Sequence, residues 1–232
     1  NAGAYTHVDR AESKKELCYR VNASGPEWLA RYAPPSCKII HLSTDYVYHH
    51  NPGRPLSESD NTHPQSTYAK SKLEGELRLL KIKPDSIVIR TSWVYAPRGH
   101  NFVNTMIRLS KEKKELRVVS DQIGSPTRAS DIAKAIIHII GKLDEESFRP
   151  QADCHGIFNY SSKGYCSWYE LAATIFSILK IDCKLTAIET KDYPTAASRP
   201  LWSVMSKDKI ERCFAPLIPH WKDALMDGLK QQ

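Results

Sequence analysis

A tyrosine and a lysine four residues apart, Tyr68 and Lys72 in the stretch QSTYAKSKLEGE, are the pair in this 232-residue sequence best suited to acid–base chemistry. On a helix, residues at that spacing share a face and can point into one cleft. A free phenol has a pKa of about 10 and is a poor acid or base at neutral pH. A neighbouring ammonium favours the phenolate, and a fall of about three pH units would need roughly 4 kcal/mol of differential stabilisation. Such a pair suits the proton transfer of an alcohol–ketone interconversion. The spacing alone is weak evidence, because both residues are common on solvated helix faces. The run Lys38-Ile39-Ile40-His41-Leu42-Ser43, about two dozen residues earlier, strengthens it. It reads as a buried parallel strand whose carboxyl end delivers Ser43, Thr44 and Asp45 to a cleft. Hydroxyls there could hold a substrate carbonyl or hydroxyl oxygen.

The elements that must carry these residues follow from periodicity and turn chemistry. A helix is expected over 12–32, with Leu17, Val21, Trp28 and Leu29 along it, and a strand over 38–43. The polar loop 49–66 is long enough to be functional. The helix bearing Tyr68 and Lys72 should run to about Lys81, before a buried strand over 86–91 that ends in Ser92-Trp93-Val94-Tyr95. A helix over 102–113, a short strand over 116–119 and a turn-rich loop over 121–127, shaped by Gln122 and Ser125, come next. Ile132, Ala133, Ile136, Ile137 and Ile140 mark a helix over 130–140. The pattern changes after about residue 142. A polar linker over 144–153, a strand over 156–160, a Ser167-capped helix over 168–179, a strand over 184–188, a loop over 195–200 and helices near 206–213 and 220–230 are expected. This alternation predicts an α/β protein: a doubly wound, parallel, Rossmann-type sheet with a smaller α+β C-terminal part over the cleft. The division falls at 1–142, the dinucleotide-binding and catalytic part, and 143–232, mainly substrate-binding, with the two interleaving.

Composition narrows the function. With 41% hydrophobic and 25% charged residues the chain is an ordinary globular protein. Its formal charge of +7 comes from scattered lysines and arginines with no basic arm or aromatic stripe. That argues against nucleic acid and suits an anionic small substrate or cofactor. No apolar run approaches membrane-spanning length and no signal peptide is visible, so no membrane partner and a cytoplasmic location are expected. The six cysteines form no Cys-x-x-Cys pair and no zinc spacing with histidine, so reduced thiols and no metal are expected. His49-His50 reads as an exposed loop pair. Asn1-Ala2-Gly3-Ala4-Tyr5 resembles a strand end and tight turn that lets backbone approach a ligand. None of the ten glycines forms G-x-G-x-x-G. The expectation is therefore a chain without the Gly-rich pyrophosphate cradle and the first strands of the sheet.

With these residues in view, the chain resembles the extended short-chain dehydrogenase/reductase family, and within it the dTDP-4-dehydrorhamnose reductases. The likeness rests on NAGAYTHVDRAES, LSTDYVY, YAKSKLEGE, RTSWVYA, NFVNTMIRL, LRVVSDQIGSPT, GYCSWYELA and SRPLWS, in that order over nearly the whole chain. The resemblance implies reduction of the C4 ketone of a dTDP-sugar, dTDP-4-dehydro-L-rhamnose, with hydride from NADPH or NADH. It implies that Tyr68 donates the proton, that Lys72 lowers its pKa and binds the nicotinamide ribose, and that Thr44 completes the triad. Thr44 and Asp45 would contact the sugar, Trp93 would lie against it, and Gly3, Ala4 and Tyr5 would border the cofactor. Arg199 would meet the diphosphate or brace its own loop. A homodimer is compatible with the resemblance. The alternatives are a related nucleotide-sugar reductase or epimerase, and a non-catalytic regulatory subunit on the same fold.

Overall fold

In the computed structural model, residues 1–145 and 154–230 are described. Three short helices, α1 (Val8–Ala11), α2 (Lys15–Tyr19) and α3 (Gly25–Tyr32), lead to strand β1 (Ile40–Thr44). Helix α4 (Thr67–Ile82), strands β2 (Ile87–Thr91) and β3 (Val94–Tyr95), helix α5 (Phe102–Glu112) and strands β4 (Glu115–Val119), β5 (Ile123–Gly124) and β6 (Thr127–Arg128) follow. The chain continues through α6 (Ala129–Asp144), β7 (Gly156–Asn159), β8 (Cys166–Ser167), α7 (Trp168–Leu179), β9 (Lys184–Ile188), α8 (Asp208–Phe214) and α9 (Trp221–Leu229). The expected linker over 144–153 lies mostly outside the described residues.

The central sheet has the order β1-β2-β7, all parallel. Successive side chains of a strand point to opposite faces. Ile87 and Ile89 accordingly pack with Ile132, Ile139, Phe158 and Phe214 on one face. Val88 packs with Ala30, Ile39 and Leu79 on the other. Every residue of β2 is buried, as expected of a parallel strand covered on both faces. On the free edge of β1, the amide of Leu42 donates to Asn1 O at 3.0 Å and the Asn1 nitrogen donates to Ile40 O at 2.6 Å. This is the bonding of a parallel neighbour in register with His41. The chain leaves Asn1 through a local turn, with Gly3 N 3.1 Å from the Asn1 side chain, and Tyr5 is then held by Asn22.

A third apolar cluster joins Tyr95, Val103, Leu116, Val118, Leu171, Ile175, Trp221 and Leu225. It holds α5, α7 and α9 against the parallel pair β4–β9. Ser167 caps α7 through a capping box with Glu170, so both the Ser167 cap and strand 184–188 appear as read from the sequence. β7 belongs to the central sheet although it lies beyond residue 142.

Two expectations change and one is refined. The helix expected over 12–32 forms as one continuous helical run from Lys15 to Tyr32, in which a π-helical turn (Arg20–Ser24) joins α2 to α3. Leu17, Trp28 and Leu29 face outward, while Cys18, Asn22, Ala23 and Ala30 are buried. A polar residue, Asn22, faces the core there because it binds backbone, as described below. The cysteines are not all reduced thiols: Cys154 and Cys213 form a disulfide. Packing of β7 against α8 brings their Cα atoms to 5.5 Å, within bridging range, a proximity that 59 residues of separation hide in the sequence. His49 and His50 are half-buried, with His50 edge-on to His63 at 5.5 Å.

Candidate active site

Helix α4 carries Tyr68 and Lys72, and its start is fixed from two sides. Ser66 Oγ accepts from Ala69 N at 3.2 Å. The Glu12 carboxylate accepts from Thr67 N at 2.8 Å and from Thr67 Oγ1 at 2.7 Å. Both contacts satisfy amides that a helix leaves unpaired at its first turn, and an anion there also complements the helix dipole. Farther along, α4 crosses the π-helical turn at backbone contact distance. A Cβ added at Gly75 would lie 2.0 Å from Asn22 O, so only glycine fits.

Tyr68 is half-buried at the carboxyl end of β1, edge-on to Tyr46 with ring centroids 5.8 Å apart. Burial pushes its phenol up to about 12. Hydrogen bonding with the Thr44 hydroxyl opposes that rise, and the Asp45 carboxylate adds to it. Lys72 does not act on the phenol in this arrangement. Its ammonium turns to β1, donating to Leu42 O at 2.7 Å and lying 3.3 Å from His41 Nε2. Burial lowers Lys72 to about 8, with Glu76 opposing. An ammonium carries three donors and no acceptor, so His41 Nε2 accepts from Lys72, and Nδ1 then donates to the Asn1 side-chain amide, 3.0 Å away, through its oxygen. His41 is neutral, its pKa pushed to about 3 first by burial and then by Lys72.

Beneath these residues lies a charged network. Glu76 and Arg90 are 0% and 2% exposed, with Arg90 NH2 on Glu76 Oε2 at 2.6 Å and Nε at 3.1 Å from Oε1. Ser43 Oγ also donates to Glu76. Arg90 lies over the Tyr48 ring at 4.9 Å, and the Tyr48 hydroxyl donates to Asn159 Oδ1 at 2.9 Å. Asn159 in turn donates from its side chain to Leu56 O and from its backbone to the Glu58 carboxylate. This ties the long 49–66 loop to the sheet.

Asp45 is buried. Its Oδ1 accepts from Thr44 Oγ1 at 3.1 Å, while Oδ2 has no hydrogen-bond partner among the described residues. Burial pushes its carboxyl up to about 6, with Ser203 and Thr44 opposing. The Ser203 hydroxyl, buried and otherwise without a partner, is the donor that faces this carboxylate. Arg199 forms a bidentate pair with Asp9, NH2 to Oδ2 at 2.6 Å and NH1 to Oδ1 at 3.1 Å, and also donates to Ala197 O. Its guanidinium thus braces the loop onto α1 and lies near Tyr46. Trp93 follows β2, adopts φ +48°, and stacks on Trp168 with centroids 3.5 Å apart.

Gly3, Ala4 and Tyr5 form a thin segment, with Gly3 exposed and Ala4 and Tyr5 half-buried. Asn22 clamps it. Tyr5 N donates to Asn22 Oδ1 at 2.8 Å and Asn22 Nδ2 donates to Tyr5 O at 3.1 Å and to Ser71 Oγ at 3.0 Å. The sequence reading missed Asn22, Glu76, His41 and Trp168. For Glu76 a signal was present: Tyr68, Lys72 and Glu76 stand at successive four-residue steps on one helix face. The same fourfold step links Cys18 to Asn22.

A small-residue backbone segment next to the edge of β1, with a lysine ammonium at that strand, fits the ribose side of a dinucleotide. The fold is that of the Rossmann-type reductases of the extended short-chain dehydrogenase/reductase family. More particularly, the chain belongs to the family described as RmlD substrate binding domain, whose model matches residues 1–232. It is 41% identical over 226 residues to a dTDP-4-dehydrorhamnose reductase of Sinorhizobium fredii, covering 95% of this chain and 75% of that protein. The dTDP-4-dehydrorhamnose reductase of Clostridium acetobutylicum superposes with a TM-score of 0.91 at 37% identity over 99% of this chain and 78% of the other. The Bacillus anthracis dTDP-4-dehydrorhamnose reductase, solved in complex with NADP, gives a TM-score of 0.89 at 34% identity over 99% and 79%. The chain thus spans about three quarters of these relatives. No helix among the described residues is long and apolar enough to cross a membrane.

Proposed function

We propose that this protein reduces the C4 ketone of dTDP-4-dehydro-L-rhamnose to dTDP-L-rhamnose in the cytoplasm, using NADPH or NADH. The observation that carries the reading is the meeting of Thr44, Asp45 and Tyr68 at the carboxyl end of β1, one helical turn before Lys72 on α4. The names of the relatives supply the sugar. The nicotinamide supplies the hydride, and the protein supplies position and the proton. A phenol held near 12 keeps its proton at neutral pH, the form that ketone reduction requires. Tyr68 gives that proton to the substrate C4 oxygen as charge develops there. Thr44, turning its single hydroxyl proton away from Asp45 Oδ1, steadies the tyrosinate left behind. Lys72, whose ammonium faces Leu42 O and His41, offers a donor to a ribose hydroxyl. Asp45, shared with the Ser203 hydroxyl, accepts from a sugar hydroxyl, and Trp93 walls the sugar. Gly3, Ala4 and Tyr5 border the cofactor.

Arg199 admits two roles, diphosphate contact and loop brace, and its bidentate bond to Asp9 favours the brace. In this reading residues 1–142 carry the cofactor and catalytic groups, while 143–232 mainly shape the sugar pocket. A homodimer could use the exposed Trp28, Leu29 and Tyr32 of α3, and sedimentation of the protein tests that. No nucleic-acid or metal partner enters the proposal. The deciding assay follows NADPH and NADH oxidation by the full-length protein against a panel of nucleotide sugars. Turnover dependent on dTDP-4-dehydro-L-rhamnose is expected. Turnover of another nucleotide sugar but not this one would point to the related reductase or epimerase.

A further inference from the structure

The Trp93 ring is enclosed on both faces. Trp168 stacks on one, with centroids 3.5 Å apart and planes within 6°. A Cβ built on Gly124 would lie 2.5, 2.7 and 2.8 Å from Cε2, Nε1 and Cζ2 of Trp93. Three neighbouring ring atoms at nearly equal range place that point over the ring face, not at its edge. It cannot be the face that Trp168 fills, so Gly124 lies against the other. Trp93 is nevertheless half-buried, so part of the residue stays open. Its backbone is held at φ +48°, a region that bulky residues rarely adopt and that surrounding structure must enforce.

The enclosure is itself anchored. Trp168 Nε1 donates to Gln122 Oε1 at 3.1 Å, and Gln122 Nε2 donates to Thr190 Oγ1 at 3.1 Å. Thr190 donates to Asp121 from both its backbone and its hydroxyl. Phe102 lies against the far side of Trp168 with centroids 4.5 Å apart.

We propose that Trp168 is a positioning residue and that Gly124 is required to be glycine. Together they fix Trp93 so that a nucleotide sugar meets the indole edge and cannot stack on its face. The inference rests on Trp93 as a sugar contact. It adds that sugar affinity is set by residues that need not touch the sugar. The polar chain from Asp121 to Trp168 makes the loop over 121–127 part of the device.

The test uses the full-length protein with Trp93→Ala, Trp168→Phe, Trp168→Leu and Gly124→Ala. It measures dTDP-L-rhamnose affinity and nicotinamide affinity by calorimetry, and the far-ultraviolet exciton couplet of the stacked indoles by circular dichroism. Trp168→Leu and Gly124→Ala should each weaken the sugar nucleotide about tenfold, the scale of one aromatic pair, with nicotinamide affinity unchanged. Trp168→Phe, which keeps a stacking ring, should restore most of the affinity. The couplet should vanish in Trp93→Ala and Trp168→Leu. Wild-type sugar affinity in Trp168→Leu, with the couplet gone and Trp93→Ala weakened, overturns the proposal while leaving Trp93 as a contact. Wild-type affinity in Trp93→Ala overturns the contact itself and the proposal with it. Equal losses of sugar and nicotinamide affinity in Trp168→Leu and Trp168→Phe would reduce Trp168 to a structural residue and also overturn it.

Discussion

Lys72 should be a residue whose removal stabilises the fold while ending its chemistry. Its ammonium is 2% exposed, and burial lowers its pKa from the ordinary 10.5 to about 8. At about 1.4 kcal/mol per pH unit, carrying that charge costs the folded state roughly 3 kcal/mol near pH 7. Methionine fills a similar volume without charge. It forfeits the hydrogen bond to Leu42 O at 2.7 Å, worth about 1 kcal/mol net. Lys72→Met should therefore be more stable than wild type by about 2 kcal/mol near pH 7. The sign with pH follows from proton counting. Between about 8 and 10.5 the unfolded wild type binds more protons than the folded one, so wild-type stability rises with pH across that window. The variant lacks this slope, and its advantage should close toward about pH 10. Urea unfolding of both proteins at several pH values from neutral to alkaline reads the difference, since titrating groups that Lys72 does not influence cancel. A variant less stable than wild type at neutral pH, or a gap that does not change with pH, would refute the view of Lys72 as a charge buried at a cost. Reductase turnover should be lost in the same variant.

The remaining predictions concern the groups around it. Glu76→Gln leaves Arg90 buried without its counter-ion and should destabilise by about 3–5 kcal/mol in urea unfolding, while replacing Glu76 and Arg90 together by methionine should recover most of that. Asp45, raised to about 6 by burial, holds its proton more tightly folded than unfolded. The stability this contributes is complete below about pH 4 and is lost as pH rises through 6, so Asp45→Asn should gain on wild type by about 2 kcal/mol between those limits in pH-dependent melting.

The sequence exposed local signals well and long-range ones poorly. Helix α4 could be read because Ser66, Tyr68, Lys72 and the following periodicity lie within one stretch. The α7 cap could be read because Ser167 and Glu170 are three residues apart. The parallel strands were legible as apolar runs, since burial on both faces leaves no alternation to interpret. What stayed hidden depends on chain segments that meet only after folding. Asn22 lies in a π-helical turn inside the expected helix, where its amide pairs with the Tyr5 backbone. Cys154 reaches Cys213 because β7 packs on α8. The orientation of Lys72 toward Leu42 O and His41, away from the phenol, follows from how α4 crosses β1. No spacing within α4 could reveal that. Trp93 was readable as an aromatic near a strand end, but its enclosure by Trp168 and Gly124 needed the fold.

The most direct test of the central claim, that Tyr68 gives the proton to the C4 oxygen, is Tyr68→Phe in the full-length protein. It is assayed for turnover of dTDP-4-dehydro-L-rhamnose and, separately, for binding of the nicotinamide and of dTDP-L-rhamnose. Removal of one oxygen from a half-buried ring should leave both affinities within a few-fold of wild type and lower turnover by at least about a hundredfold, the usual scale of general-acid catalysis. Turnover close to wild type with both ligands bound normally would contradict the account.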